Sequence, residues 1–479
     1  MSGSDRRRRG TIPAHAPPRA GDRRSPDQRP YPWVDDGSAA LLTDLYQLTM
    51  LQAYQAERMH EPAVFSLFVR RLPERRNYLI ACGLNDALRY LETLRFAPDA
   101  LEYIASLPEF HADFIDWLAD FRFTGDVHAV PEGTPLFADE PLLEIVAPLP
   151  QAQLIETFVM NQVQHQTLVA SKAARVVEAA AGRAVIDFGL RRMHGTDAGL
   201  KAARAFHIAG VAGTSNVLAG QRYGIPVRGT MAHSYIQSHD DEAAAFRAFA
   251  RLYPSTILLV DTYDTLDGVR RVVELARELG DDFDVAGIRL DSGDLSSLAI
   301  EARRILDDAG LHDVTIFASG SLDEYRIAEL LARAAPIDGF GVGTRMGVSS
   351  DAPSLDTAYK LTEYAGRGRT KLSPGKDILP GRKQVFRFFD DDGVAMHDVI
   401  ARADERLPAT PLLRPVMRGG ERLPDGDVSL EASRVYAAQQ RDRLPARIRA
   451  LEPADPPYEV EVSNALRMHH EAVAAEAAG

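Results

Sequence analysis

Val285-Ala-Gly-Ile-Arg-Leu-Asp-Ser-Gly-Asp294 is a short, mostly apolar run that stops in polar and glycine residues. A run of this kind, without regular polar alternation, suits a strand covered on both faces, as in a parallel sheet. It has companions on either side: Val185-Ile-Asp187, Ile225-Pro-Val227, Ile257-Leu-Leu-Val260, Val314-Thr-Ile-Phe317 and Phe340-Gly-Val342. Their starts are spaced by roughly 25 to 40 residues, room for one helix each. Val269 to Leu279 and Ala299 to Ala309 have helical apolar spacing, and a longer helical pattern, Leu154 to Ala180, precedes the series. Strands alternating with helices predict an α/β fold with a parallel, barrel-like sheet.

Each strand ends in residues that a packed core does not need. The ends are Phe188-Gly-Leu-Arg-Arg192, Thr230 with His233, Asp261-Thr262, Asp291-Ser-Gly-Asp294, Ser319-Gly-Ser321 and Gly341-Val-Gly-Thr344. Parallel α/β barrels build their sites at the C-terminal ends of the strands. His233 lies between Ala232 and Ser234, ahead of a helical pattern from Asp241 to Leu252, so its imidazole is reachable. Imidazole can accept a proton or a phosphoryl group near neutral pH; a lone histidine is more often a structural hydrogen-bonder.

The other strand ends leave similar pairs of readings. Arg191 and Arg192 suit a phosphate or carboxylate ligand, or form a solvated pair. Phe188 is core, or a flat surface for an aromatic ligand. Arg289 and Asp291 alternate along the strand and share a face, as a polar site or as an ion pair. Asp291-Ser-Gly-Asp offers carboxylates for ribose hydroxyls or Mg2+. Ser319-Gly320-Ser321 and Gly341-Val-Gly343-Thr344 are glycine turns opening toward helices, where backbone N–H groups can hold phosphate oxygens. There is no GxxxxGK[ST] loop and no GxGxxG after a strand. One cysteine makes a structural zinc site a poor reading. Together these residues predict a phosphate-binding site with an arginine cluster, suited to phosphoryl or phosphoribosyl chemistry.

The 479 residues carry a net charge of −13. Residues 1–34 hold eight Arg against three Asp, so the rest is near −18. An acidic body excludes nucleic acid as the main partner. No apolar run has membrane-spanning length. The arginine-rich head has no secretory apolar core and reads as a disordered extension. The single Cys82 cannot form an internal disulfide, which fits a reducing cytoplasm.

The chain divides into residues 1–37, an Arg/Pro-rich extension; 38–150, an α+β domain; 151–350, the α/β barrel; 351–430, a β-rich segment; and 431–479, a helical tail. In the fourth, Tyr359-Lys-Leu-Thr-Glu-Tyr364 and Gln384-Val-Phe-Arg-Phe-Phe389 are expected to return to the N-terminal domain and complete its sheet.

Several of these stretches, in order, resemble nicotinate phosphoribosyltransferase. They are Thr43-Asp-Leu-Tyr-Gln-Leu-Thr-Met50, Phe188-Gly-Leu-Arg-Arg192, Thr214-Ser-Asn-Val-Leu-Ala-Gly220, Gly229-Thr-Met-Ala-His-Ser234, Arg289-Leu-Asp-Ser-Gly-Asp294, Gly341-Val-Gly-Thr344, and Tyr359-Lys-Leu together with Leu379-Pro-Gly-Arg-Lys-Gln384. The resemblance spans about residues 38–400. It implies a type II phosphoribosyltransferase fold: an irregular TIM-like barrel with a flanking α+β domain built from N-terminal and post-barrel segments. It implies conversion of nicotinate and 5-phosphoribosyl 1-pyrophosphate (PRPP) to nicotinate mononucleotide and pyrophosphate, coupled to ATP through a phosphohistidine at His233, with Mg2+ on the diphosphate. By the same resemblance Phe188 stacks on the pyridine, and Tyr46 from the second subunit of a homodimer covers its other face. Arg289 and Thr230 hold the carboxylate. Arg191, Asp291, Ser319, Gly320, Gly341, Gly343 and Thr344 hold ribose and phosphates.

Ser215 bears on the substrate. Nicotinamide phosphoribosyltransferases, the alternative enzyme, carry an Asp at the matching place, which would repel a nicotinate carboxylate. A non-catalytic phosphate-binding relative would have lost part of the set His233, Arg289 and Asp291. The chain departs from the family pattern at Gly368, where many relatives have Pro, and in its head and tail.

Overall fold

The computed structural model describes residues 34–372 and 378–478; the arginine-rich head lies outside them. Six strands form one parallel sheet: β1 (Ala184–Asp187), β2 (Gly213–Thr214), β3 (Ile257–Leu259), β4 (Gly287–Leu290), β5 (Thr315–Ala318) and β6 (Gly339–Val342). Their order across the sheet is β2-β1-β6-β5-β4-β3. Residues of these strands, among them Leu258, Ile288, Ile316 and Phe340, are wholly buried, as a doubly covered parallel sheet requires. Helices Thr265–Leu279 and Leu295–Asp308 fall where the spacing places them, in the crossovers that follow β3 and β4.

Ile225-Pro-Val227 does not become a strand. Pro226 has no N–H to donate to a ladder. The segment makes one parallel bridge, Thr214 to Val227, through Thr214 N to Pro226 O at 3.0 Å and Arg228 N to Thr214 O at 2.9 Å. The sheet nevertheless curls. Past that bridge, Thr230 and Met231 accept hydrogen bonds from Arg289 on β4, and His233 meets Thr262 beyond β3. The two ends of the sheet are thus brought round to each other at their C-terminal side.

A seven-stranded antiparallel sheet stands beside it, in the order Arg367–Gly368, Thr357–Tyr364, Pro62–Val69, Pro141–Pro148, Asp126–Ala129, Arg414–Arg418, Glu421–Arg422. Thr357–Tyr364 pairs with Pro62–Val69, so a late segment joins the N-terminal sheet as expected. Lys383–Phe389 does not. It forms a hairpin with Ala395–Arg402 in a separate four-stranded sheet, locked by a buried Arg387–Asp398 pair at 2.6 Å. The tail adds strand Glu459–Val462 to that sheet and ends in helix Asn464–Ala478.

The helix Glu156–Ala179 links the two halves. Lys172 on it meets both Glu324 and Asp351 at 2.7 Å, and Arg175 meets Glu324 at 3.1 Å. Burying such charges gives little net stability but strongly disfavours any packing that would separate them. Among the described residues no helix is long and apolar enough to cross a membrane.

Candidate active site

The polar strand ends converge. Arg289, the one charged residue of β4, donates from Nη1 to Thr230 Oγ1 at 2.9 Å and from Nη2 to Met231 O at 3.2 Å. Its Cζ lies 5.9 Å from the centroid of the Phe188 ring, within cation–π range. Its Nε is buried without a partner among the described residues. Burial draws the Arg289 guanidinium below its usual range, and the charges of Asp291 and Asp261 oppose that shift. The neighbouring Arg191 charge works with burial; Arg191 lies on the exposed turn Leu190–Arg192. Arg289 and Asp291 share a face but form no ion pair within 4.0 Å among the described residues.

Asp291 is held from two sides. Ser319 Oγ donates to its Oδ1 at 2.5 Å, its own N–H donates to Asp261 Oδ2 at 3.0 Å, and Ser292 Oγ joins the same Asp261 oxygen at 2.6 Å. Gly320 has φ +89°, and a Cβ there would lie 1.8 Å from Asp291 O. Only glycine lets the two turns approach this closely. Gly341 is required for a different reason: its Cβ would fall 2.6 Å from Phe188 Cδ2 and Cε2. The Phe188 ring therefore rests on bare backbone of β6, 6.1 Å from the Phe317 ring centroid. Gly343 precedes the short helix Thr344–Gly347, on which Thr344 is exposed.

His233 is the first residue of helix His233–Gln237, half-buried, with Nδ1 3.1 Å from Thr262 Oγ1. Nδ1 is thereby engaged and Nε2 is the ring atom left for chemistry. Ser215 follows β2, its N–H bonded to Asp187 O at 2.8 Å. Asp187, at the end of β1, takes Thr214 Oγ1 at 2.7 Å and Gly189 N at 2.8 Å; burial raises its carboxyl and these two donors oppose the rise.

Tyr46 stands apart. It lies on helix Leu45–Ala56, 48 % exposed, and no hydrogen bond or ring contact joins it to Phe188 among the described residues. Sequence reading left three contributors without a role. Asp261 and Thr262 were visible as a polar strand end, but that Asp261 accepts from Asp291 N and Thr262 engages His233 depends on the curl of the sheet. Asp187 closes an apolar run and carries no signal of its own in the sequence.

No group of three or more His, Cys, Asp or Glu among the described residues is placed to hold a metal. Asp261 is 8 % exposed with Oδ1 buried and unpartnered, beside Asp291. That pair fits a divalent ion which a diphosphate brings with it rather than a resident one.

The sequence matches the models of the nicotinate phosphoribosyltransferase (NAPRTase) N-terminal domain over residues 41–164 and of the NAPRTase family over 184–375. It is 56 % identical over 425 residues to nicotinate phosphoribosyltransferase pncB2 of Mycobacterium tuberculosis strain H37Rv, covering 89 % of this chain and 92 % of that one. The enzyme of Bacillus subtilis strain 168 is 42 % identical over 387 residues, covering 78 % and 79 %. The crystal structure of human nicotinic acid phosphoribosyltransferase superposes with a TM-score of 0.80 at 30 % identity, over 90 % of this chain and 99 % of that one. With its glycine turns, its Arg289–Phe188 pair and these relatives, the chain belongs to the nicotinate phosphoribosyltransferase family.

Proposed function

We propose that the protein joins nicotinate to PRPP, giving nicotinate mononucleotide and pyrophosphate in NAD salvage, with ATP consumed through a phosphohistidine at His233. The observation that carries the substrate assignment is the Arg289–Thr230 pair above Phe188, 2.9 Å between donor and hydroxyl and 5.9 Å from guanidinium to ring. A flat ring with a carboxylate has both its needs met there: a face to lie on and a fork to bind. The Arg289 Nε, buried and unpartnered, is a further donor for the acid. Ser215 places no charge near it.

In the bond-forming step the pyridine nitrogen attacks the ribose anomeric carbon as the bond to pyrophosphate breaks. The Phe188 face and the Arg289 fork orient the ring, and positioning supplies most of the acceleration. Asp291, locked by Ser319 and Asp261, is placed to accept from ribose hydroxyls. The Ser319-Gly320 and Gly341-to-Thr344 turns, with Arg191, are placed for phosphate oxygens. Mg2+ bound to the diphosphate would neutralise its charge as it leaves, with Asp261 and Asp291 the carboxylates facing it. His233 takes no part in that step. In the tautomer that donates Nδ1–H to Thr262, Nε2 carries the lone pair that accepts a phosphoryl group from ATP, releasing ADP.

Tyr46 is assigned to the neighbouring subunit of a homodimer, because it is exposed and makes no contact with its own Phe188 among the described residues. The curled sheet is read as an irregular TIM-like barrel over residues 151–350, flanked by an α+β domain from 38–150 and 351–430, with the tail from 431. A cytoplasmic location fits the single buried Cys82. The test is PRPP-dependent turnover of nicotinate and of nicotinamide, with and without ATP, for wild type and His233→Ala. Preference for nicotinamide would overturn the substrate. Undiminished ATP stimulation and hydrolysis in His233→Ala would overturn the phosphohistidine.

A further inference from the structure

Asp187 is a buried carboxylate with no task in the reaction derived above. It closes β1 and is 1 % exposed. A buried charge is costly unless it is paired or well hydrogen-bonded. Here no cation opposes the cost: burial raises the carboxyl, and only the Thr214 hydroxyl and the Gly189 N–H hold it down. A carboxylate kept at this expense is accounted for by what it holds.

Its oxygens serve two different strand ends. Oδ1 accepts from Gly189 N at 2.8 Å, and Gly189 O in turn accepts from Arg192 N at 2.8 Å. That fixes the turn which carries Phe188 on one side and Arg191 on the other. Oδ2 accepts from Thr214 Oγ1 at 2.7 Å, and the same hydroxyl accepts from Asn216 N at 3.1 Å. The Asp187 main-chain oxygen accepts from Ser215 N at 2.8 Å. Ser215 is therefore bracketed, since its own N–H and the next one both lead back to Asp187. Across the sheet Asp187 pairs with Thr214 on β2 and with Val342 on β6, and Phe188 N donates to Val342 O at 2.9 Å.

We infer that Asp187 is a positioning residue for the pyridine substrate: it holds the Phe188 platform and Ser215 at a fixed separation, and so contributes to the choice of a carboxylate over a carboxamide. It acts through those two residues and does not touch the ring. The inference rests on the nicotinate reading of the site. Only a carboxylate serves here, because both side-chain partners donate. Asparagine offers one oxygen, so whichever way its amide is turned, either Gly189 or Thr214 loses its acceptor and faces an N–H instead. Thr214 is also 1 % exposed, so water does not replace the lost bond.

The test is steady-state kinetics of the full chain with nicotinate and with nicotinamide, for wild type, Asp187→Asn, Thr214→Val and Thr214→Ser. Asp187→Asn should raise KM for nicotinate by about fivefold or more, while KM for PRPP stays within about twofold. It should also lower the ratio of kcat/KM for nicotinate to that for nicotinamide by about fivefold or more. Thr214→Val removes the donor to Oδ2 and should move both quantities the same way; it decides the matter alone if Asp187→Asn does not fold. Thr214→Ser keeps the hydroxyl and should leave both within about twofold of wild type. A loss confined to kcat, with KM and the ratio unchanged, is what a smaller folded fraction produces, and overturns the inference. So does a Thr214→Ser enzyme as impaired as Thr214→Val. The wild-type ratio separates the two levels: no preference for nicotinate there overturns the reading of the site and this inference with it, whereas a clear preference that survives Asp187→Asn overturns the inference alone.

Discussion

Gly341→Ala isolates the contribution of the Phe188 platform, because it adds one methyl group directly beneath the ring. The new Cβ would sit 2.6 Å from Phe188 Cδ2 and Cε2 and 3.0 Å from Phe317 Cε1. Carbon atoms pack at roughly 3.5–4.0 Å, so the Phe188 ring must withdraw by about 1 Å. Gly341 is buried in the middle of β6 and has no positive φ, so alanine introduces no backbone strain. The expected loss of stability is that of overpacking, about 1–3 kcal/mol. Activity should fall further, since a displacement of about 1 Å at a positioned reactant can lower the rate by about 100-fold. Steady-state kinetics should therefore show kcat/KM for nicotinate down by roughly 10- to 100-fold, with the KM for PRPP changed much less. The same substitution in a Phe188→Leu background should lower kcat/KM by less than about threefold, because the group it displaces is gone and the two changes cannot add. Full additivity of the pair, or wild-type kcat/KM in a folded Gly341→Ala enzyme, would refute Phe188 as the surface on which the ring lies.

Ser215→Asp should reverse the preference between acid and amide, since a half-buried carboxylate beside the nicotinate carboxylate is a like-charge pair; kcat/KM for nicotinate should fall by about 100-fold or more (~3 kcal/mol), with nicotinamide gaining, and an unchanged ratio sinks the assignment of that position. Thr262→Val removes the hydroxyl that engages His233 Nδ1 at 3.1 Å while keeping the shape. The loss of about 1 kcal/mol should appear as a several-fold weaker ATP stimulation with the ATP-independent rate unaltered, and an equal effect on both rates would contradict a role confined to His233. His128 should make stability pH-dependent. Burial, with help from Arg382, lowers it to about 4 from an ordinary value of 6.5, and Arg382 Nη2 lies 3.3 Å from its Nδ1. Between these two values the unfolded chain binds a proton that the folded one does not, so unfolding free energy rises with pH over about 4 to 6.5 and is lost on acidification. After allowance for partial exposure the span is about 1–2 kcal/mol, and urea melts of His128→Gln should show that slope reduced.

Much of the site was readable because polar and glycine residues interrupt apolar strands at the same end each time. Arg289 and Asp291 could be assigned a common face from alternation alone. What sequence could not supply was the closure of the sheet on itself. Asp261 is a backbone acceptor for Asp291 and Thr262 a partner for His233 only because β3 and the segment past Val227 are brought together. Strand β2 escaped notice because it has two residues, and Ile225-Pro-Val227 was over-read because its apolar character outweighed the missing N–H of Pro226. Lys383–Phe389 had strand composition, but pattern does not say which sheet a strand joins. Here the hairpin partner Ala395–Arg402 is local and the Arg387–Asp398 pair needs both strands.

Two of the departures from the family pattern are best understood as one. Gly368 and the C-terminal tail are a hundred residues apart in sequence, and each alone looks like drift. Helix Asn464–Ala478 lies over the turn that begins at Arg367–Gly368: a Cβ on Gly368 would fall 2.8 Å from Val473 Cγ2, 3.0 Å from His469 Nε2 and 3.1 Å from Pro380 Cβ. The same helix brings His470 Nε2 to 3.4 Å from Thr370 Oγ1, which in turn donates to Ile378 O at 2.8 Å. A proline at 368 carries a Cβ and would meet the same atoms, so a chain with this helix in this place needs glycine there. The Ala/Glu-rich sequence of this helix does not announce that contact. Leu466, wholly buried, and Val473, nearly so, are the buried residues of helix Asn464–Ala478, and Val473 is the one that meets the Gly368 turn.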